Sequence, residues 1–262
     1  MAFLIVGGLT LLISLLTLFS GFGLGTLLLP VFLVFFDPPI AIAATAIVHL
    51  ANNLLKALLF ARHAHAGVLL RFSVPAVLAA FGGAFLLQYL NALPPLFQYL
   101  WQAQWFQVTP IRFTIGLLMI VFASLELSPK FRALTLSRQW VPLGGALSGF
   151  FGGLTGHQGA FRSAFLIRLG LDKQAFIGTT VLAAVLVDVA RIGVYGFTLT
   201  QGHQALLQTP AQWQLLLWAM ACAFLGTWLG SRWLQKVTLS WMQTVVGILL
   251  VAYGLLLGAG LI

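Results

Sequence analysis

Charged side chains are scarce in this chain. Only 6% of its 262 residues are charged, and thirteen Lys and Arg stand against four Asp and Glu. A soluble protein of this length needs a charged, hydrated exterior, so the composition excludes that class. Basic runs and aromatic stacking platforms are also missing, which argues against nucleic acid as a partner despite the net charge of +9.

The sequence contains only one cysteine and offers little that would support catalysis. The single cysteine, Cys222, lies in an apolar segment, where it has no partner for an internal disulfide and no metal ligand nearby. No His-Glu-x2-His pattern occurs, and four acids offer little for acid–base chemistry. We therefore predict no enzyme activity, no metal and no cofactor. A passive subunit of a membrane complex is an alternative, but this reading does not explain why charged residues occur inside the membrane.

Long apolar stretches make up most of the sequence, which is 61% hydrophobic. They recur along the whole length, as expected for helices that cross the ~30 Å hydrocarbon core of a bilayer. We predict an all-α integral membrane protein, one transmembrane domain with about ten segments. The segments cover roughly 2–19, 24–36, 40–60, 68–90, 110–127, 140–155, 159–169, 174–197, 212–234 and 240–261.

The basic residues fall mainly on one side of these segments. If residue 1 lies outside, most of the thirteen cations occupy loops that follow odd-numbered segments, as the positive-inside rule expects. Leaving out the short segments 2 and 7 destroys the pattern. The chain is therefore predicted to cross the inner (plasma) membrane several times, with residues 1 and 262 outside. The cations concerned are Arg62, Arg71, Lys130, Arg132, Arg138, Arg168, Lys173, Arg232 and Lys236.

The two halves of the chain resemble each other, which predicts a five-helix repeat in 1–138 and another in 139–262. Both halves contain the pattern Thr-x7-[Asn/Asp]-x2-[Lys/Arg] at a constant offset. Because five is odd, the repeats must have opposite orientation, a common plan of secondary transporters. Chance similarity between apolar helices is the alternative. The matching residues are Thr45, Asn53 and Lys56, and Thr180, Asp188 and Arg191.

Segments 2 and 7 are unusually short, and each follows a glycine-rich turn. Such helices begin or end within the membrane, as re-entrant segments do. Glycine permits sharp turns and close approach to a ligand, and a helix N-terminus with unpaired N–H groups attracts anions. These turns are therefore candidates for one central anion site, although the glycines can also serve helix packing. The candidate glycines are Gly21, Gly23 and Gly25, and Gly156 and Gly159.

Polar residues in segments 3, 7 and 8 complete the candidate substrate site. Spacings of three and four place those of segment 3 on one helix face, as they do in segment 8. Charges inside a bilayer are costly and usually face a cavity or each other. An ion pair between Asp188 and Arg191, and snorkelling of Lys56 to the headgroups, are the structural alternatives. The candidates are Asn52, Asn53, Lys56, His157, Gln158, Arg162, Asp188 and Arg191.

The glycine-rich turns also carry a resemblance to a known family. The first reads Gly21-Phe22-Gly23-Leu24-Gly25-Thr26-Leu27-Leu28-Leu29-Pro30, and the second Gly153-Leu154-Thr155-Gly156-His157-Gln158-Gly159-Ala160. A glycine-rich turn leading to a proline, present in both halves, is similar to the signature of the sulfite exporter TauE/SafE family of membrane permeases. Ala164-Phe165 stands where that family often has its second proline. The resemblance implies export of small sulfur-containing anions such as sulfite or organosulfonates.

The sequence thus predicts a secondary transporter that exports a small anion by alternating access. An anion channel is the alternative; saturable flux and counterflow would distinguish the transporter from it. The expected partners are the anionic substrate and the lipid bilayer. A coupling proton or cation, and a homo-oligomer, stay open.

Overall fold

The structure, a computed structural model, describes residues 1–17, 24–132, 136–167, 169–201, 209–233 and 240–262. Each predicted apolar segment coincides with one helix, so the helical membrane class is confirmed. Two of the cations that determine the predicted topology, Arg168 and Lys236, lie outside the described residues. The helices are α1 Ala2–Thr17, α2 Leu24–Leu33, α3 Pro38–Phe60, α4 Ala66–Ala92, α5 Pro110–Leu127, α6 Pro129–Arg132, α7 Val141–Thr155, α8 Gly159–Leu166, α9 Lys173–Gln201, α10 Pro210–Trp233 and α11 Ser240–Gly258.

Four helices are long and apolar enough to cross a membrane by length and composition. They are α3, extended by a 3-10 turn to His63, and α4, α9 and α10. The apolar parts of α1, α2, α5 and α11 are shorter, at 10–17 residues. The structure therefore supports a protein that crosses the membrane several times, while the number of crossings stays a prediction.

Small residues bring two pairs of helices into close parallel contact. Gly145, Gly149 and Gly153 of α7 lie successively against the backbone of α4, where any Cβ would overlap a carbonyl oxygen. Gly226 and Gly230 of α10 lie in the same way against α1. In both pairs, residue numbers at the contact increase in the same direction along the two helices, so each pair of helices is parallel. Close approach through small residues is typical of packing inside membranes.

Two further pairs of helices are antiparallel. In α5 and α11, Gly116 packs against Gly254 while Gly247 packs against Leu127. In α3 and α9, the last residue of α3, Phe60, contacts Gly178 near the start of α9. The middle parts of α3 and α9 therefore cross at the centre of the molecule, where the polar residues lie.

A two-stranded hairpin joins α4 to α5, a feature that the sequence analysis did not predict. Strands β1 Phe97–Trp101 and β2 Gln104–Val108 pair antiparallel through a two-residue turn. Both turn residues, Gln102 and Ala103, have positive φ, at 47° and 61°. The hairpin packs on the end of α11, where the Tyr99 hydroxyl donates to the Ala259 carbonyl at 2.8 Å.

Candidate functional site

Helices α7 and α8 form a hairpin whose turn lies beside the middle of α4, at the contact of Gly153 with Ala80. Gly156 ends α7 with a φ of +86°, a conformation that L side chains rarely adopt. α8 then folds back along α7, and Ser148 Oγ donates to the Gln158 carbonyl at 2.8 Å. α8 has 8 residues, about 12 Å of helix, which is too short to cross the membrane.

The start of α2 lies against this turn. A Cβ built on Gly25 would be 3.4 Å from the Gly156 carbonyl oxygen and 3.7 Å from Cδ2 of His49. α2 has 10 residues, about 15 Å, so it is also too short to cross. The starts of two short helices, one from each predicted half, therefore meet near the centre. Gly21 and Gly23 lie outside the described residues.

Asp188 of α9 is the centre of a buried polar cluster. Its Oδ2 lies 2.5 Å from Nδ1 of His49 on α3. Its Oδ1 accepts hydrogen bonds from Nε2 of Gln158 at 2.9 Å and from Nε of Arg191 at 3.0 Å. Asp188 and Arg191 are both fully buried, and their i,i+3 spacing forms the ion pair that the sequence allowed. One carboxylate thus connects α3, α9 and the α7–α8 turn.

Two further side chains extend this cluster. Arg162 NH1 donates to Gln158 Oε1 at 2.9 Å, so the Gln158 amide bridges Arg162 to Asp188. Because the amide oxygen accepts from a cation while its nitrogen donates to a carboxylate, the orientation of the amide is fixed. Because Nδ1 of His49 donates to the Asp188 carboxylate, the acceptor left for Asn53 Nδ2 is Nε2 of the same ring, at 3.2 Å. The Asp188 cluster consists of His49, Asn53, Gln158, Arg162, Asp188 and Arg191.

Two backbone carbonyls of α7 accept hydrogen bonds from α9. NH1 of Arg191 donates to the Gly152 carbonyl at 3.2 Å, and the Tyr195 hydroxyl donates to that of Gly153. These bonds attach α9 to the last turn of α7. A Cβ on Gly156 would lie 2.9 Å from Arg191 NH1, so the close fit depends on glycine there. Arg191 therefore contacts both Asp188 of its own helix and the backbone of α7.

Lys56 and Arg162 are the two cations that the cluster does not neutralise. They are buried, with 7% and 8% of their surfaces exposed, and Lys56 lies one helical turn from Asn53 on the same face of α3. Among the described side chains, neither forms an ion pair, and Lys56 forms no hydrogen bond. The one hydrogen bond of the Arg162 side chain uses NH1, which leaves its other N–H groups without a protein acceptor in this part of the chain.

Two other predicted site residues are buried nearby but face different partners. Nδ1 of His157 lies 2.8 Å from Thr155 Oγ1, and its ring stacks on Phe122 with centroids 4.9 Å apart. Asn52 Oδ1 accepts from Thr227 of α10 at 2.7 Å. Within the described ranges, neither side chain is hydrogen-bonded to the Asp188 cluster.

Several buried polar atoms near the cluster are left unsatisfied by the described protein groups. They include Nδ2 of Asn52, Nε2 of His157 and the hydroxyls of Thr26 and Thr45, none of which belongs to the Asp188 cluster. Such atoms are costly in a membrane interior unless a ligand or water satisfies them. The two unpaired cations, Lys56 and Arg162, are the donors suited to a small anion. Across the same residues, no group of three or more His, Cys, Asp and Glu is placed to hold a metal.

Two partners of the site were not among the residues predicted from sequence. His49 lay on the predicted polar face of segment 3, and its i,i+4 spacing to Asn53 was the available signal. Thr227 gave no signal, because 175 positions separate it from Asn52.

Comparison with known proteins places the chain in a family. A family model described as Sulfite exporter TauE/SafE matches residues 6–257, nearly the whole chain. No curated protein matched, and no solved structure did. Because the family model covers far more than half of the sequence, the chain belongs to the sulfite exporter TauE/SafE family.

Proposed function

We propose that this protein is a secondary transporter that exports a small anion, sulfite or an organosulfonate, across the inner membrane by alternating access. Membership of a family named for sulfite export supports a permease acting on such anions. The observation that carries the proposal is the pair of buried cations, Lys56 and Arg162, which no described carboxylate neutralises. A bound anion supplies the missing charge in a medium where unpaired charges are expensive.

The anion is proposed to bind beside the starts of the two short helices. In α8 the first described intrahelical bond runs from Arg162 N to the Gln158 carbonyl at 3.2 Å. The N–H groups of Gly159, Ala160 and Phe161 precede it, and such groups have no partner within their own helix. They carry the positive end of the helix dipole and favour an anion. The nearby start of α2 presents Gly25, which allows this helix to lie close to the Gly156 carbonyl and the His49 ring.

The pairing of helices supports inverted repeats in 1–138 and 139–262. In this scheme α1 to α5 correspond, in order, to α7 to α11, with the four-residue α6 in the connection. A two-fold axis that exchanges the halves turns the α1–α10 contact into the α7–α4 contact, and both are parallel. The same axis maps the antiparallel pairs α3–α9 and α5–α11 onto themselves. This symmetry favours about ten membrane segments, including the short α2 and α8.

Reporter fusions test this topology. Reporters joined after residues 65 and 134 should be cytoplasmic, whereas one joined after residue 262 should lie outside, because each odd-numbered segment ends on the cytoplasmic side. Alkaline phosphatase and green fluorescent protein fusions, active on opposite sides of the membrane, measure the location. Residues 65 and 262 on the same side of the membrane would exclude the ten-segment arrangement, because seven segments separate them.

Alternating access is proposed to involve the contact between α3 and α9. His49 of the first half and Asp188 of the second meet across it at 2.5 Å. A movement of one repeat against the other must break or rotate this contact. It must also shift the parallel pairs α1–α10 and α4–α7, because each pair joins one helix of the first repeat to one of the second. Purified protein in liposomes should show saturable flux and counterflow. Flux that does not saturate, with single-channel currents, would favour the channel instead.

Removal of Arg162 tests the site directly. Arg162→Ala should abolish stabilisation of the purified protein by sulfite, sulfate and methanesulfonate, because it removes the donors and one unpaired charge. Arg162→Lys should restore only part, since lysine keeps the charge but loses the planar fork. Thermal unfolding in detergent measures each shift.

The matched control is Arg71→Ala, which removes an exposed arginine from α4 and should leave the anion-dependent shift unchanged. Wild-type anion stabilisation in Arg162→Ala would remove this residue from the site and, with it, the observation that carries the proposed function.

A further inference from the structure

The charges at the centre of the molecule do not balance. The described side chains there are three cations, Lys56, Arg162 and Arg191, and one carboxylate, Asp188. Arg191 and Asp188 form an ion pair and neutralise each other. With His49 neutral, Lys56 and Arg162 therefore leave a surplus of two positive charges; a protonated His49 would increase it.

A single negative charge cannot neutralise this surplus. Lys56 and Arg162 are each more than nine-tenths buried, and both lie at the Asp188 cluster: Arg162 is bonded to Gln158, and Lys56 follows Asn53 by one turn on the same face of α3. A monoanion leaves one of the two charges uncompensated in a poorly solvated interior, whereas a dianion satisfies both. The electrostatic preference for a second negative charge is strong because water screens it little.

The two cations have different chemical capacities. Arg162 is oriented through its NH1 bond to Gln158 and presents a planar set of further N–H donors. Lys56 has no hydrogen-bond partner among the described residues, and its ammonium group acts as a compact point charge without a preferred plane. Arg162 is therefore suited to orient an oxyanion. Lys56 is suited to favour an oxyanion that carries more negative charge.

We infer that Lys56 is a charge-selecting residue, and that the site takes a doubly charged oxyanion in preference to a singly charged one. This inference rests on the proposed function, since it assumes that an anion binds between Lys56 and Arg162. It narrows the substrate class to dianions such as sulfite or sulfate and excludes simple monosulfonates as preferred cargo.

Sulfate and methanesulfonate form a matched pair of probes. Both are tetrahedral sulfur oxyanions, and they differ by a methyl group in place of one charged oxygen. Binding is measured by titration calorimetry and by thermal unfolding of the purified full chain, at constant ionic strength set with a chloride salt. Wild-type protein should bind sulfate tighter than methanesulfonate by on the order of tenfold to a hundredfold.

Lys56→Met keeps the length of the side chain and removes its charge. It should bring the sulfate to methanesulfonate ratio within about threefold, mainly by weakening sulfate. Without any anion it should raise the unfolding temperature, because an unpaired buried charge is gone. Lys130→Met, at an exposed lysine near α6, is the control and should leave the ratio unchanged.

The possible outcomes separate the inference from the proposed function. If wild-type protein binds neither probe nor sulfite, the anion site itself is wrong. If it binds both probes equally well, or if Lys56→Met retains the wild-type ratio, the anion site stands and charge selection by Lys56 is wrong. A lowered unfolding temperature of anion-free Lys56→Met, with the ratio unchanged, would assign Lys56 a structural role.

Discussion

Asp188→Ala should be the most destabilising substitution in the polar centre. It removes the shared acceptor of His49, Gln158 and Arg191, and leaves the Arg191 charge buried and unpaired. Removing one partner of a buried ion pair costs on the order of 3–5 kcal/mol. We expect a marked fall in the unfolding temperature and complete loss of transport, because Gln158 no longer orients Arg162.

A second variant distinguishes the lost ion pair from the other effects. Asp188→Ala combined with Arg191→Met removes both charges and should recover much of the stability, but not transport, since Gln158 and His49 still lack their acceptor. The control is Asp172→Ala, which removes an exposed carboxylate that accepts from Gln174 N and Ala175 N at the start of α9. Loss of this cap should cost about 1 kcal/mol. Full transport by the double variant would show that the Asp188 cluster has no part in transport.

Gly156→Ala should cause the second largest loss, and mainly in transport. The residue has a φ of +86°, where a side chain costs roughly 1–2 kcal/mol. Its Cβ would also lie 2.9 Å from Arg191 NH1 and must displace that group or the turn. We expect transport in liposomes to fall by more than about tenfold, because a shift of about 1 Å at a binding site is enough for such losses.

Gly170 provides a matched control for backbone strain. It also has a positive φ, +75°, but a Cβ there meets nothing within 4 Å, and it lies in the connection between α8 and α9. Gly170→Ala should thus lower stability by a similar backbone cost and keep transport. Equal transport by the two variants would mean that the turn at Gly156 is not part of the site.

Helices were the most predictable part of the fold. Uninterrupted apolar runs gave the position of each long helix to within a few residues, as for α9, predicted over 174–197 and observed over Lys173–Gln201. The hairpin between α4 and α5 was missed because its turn, Gln102-Ala103, contains neither the Asn nor the Gly that usually marks positive φ at both positions. Packing against the end of α11 compensates for the unfavourable turn residues.

The candidate site was predictable in its parts but not in its connections. Helical spacing allowed the Asp188–Arg191 ion pair, which the structure contains. The glycine-rich turns suggested that the starts of the two short helices meet, and Gly25 does lie against the Gly156 carbonyl. The contact of His49 with Asp188 depends on how α3 crosses α9, which no local pattern encodes across 139 positions. For the same reason the sequence could not show that Arg191 donates to a carbonyl of α7, or that Lys56 forms no ion pair with a described residue.

The crossing of α3 and α9 also bears on how the protein is made. His49 reaches its carboxylate only after 139 further positions have been synthesised, which at 5–20 residues per second takes roughly 7–28 s. During that interval His49 and Asn52 of α3 lack their partners from the second half, Asp188 and Thr227, and α1 and α4 lack the glycine-lined helices that cover them. Nascent α3 should therefore remain next to the insertion machinery until α9 emerges, and a chain truncated before α9 should be a substrate for membrane proteases.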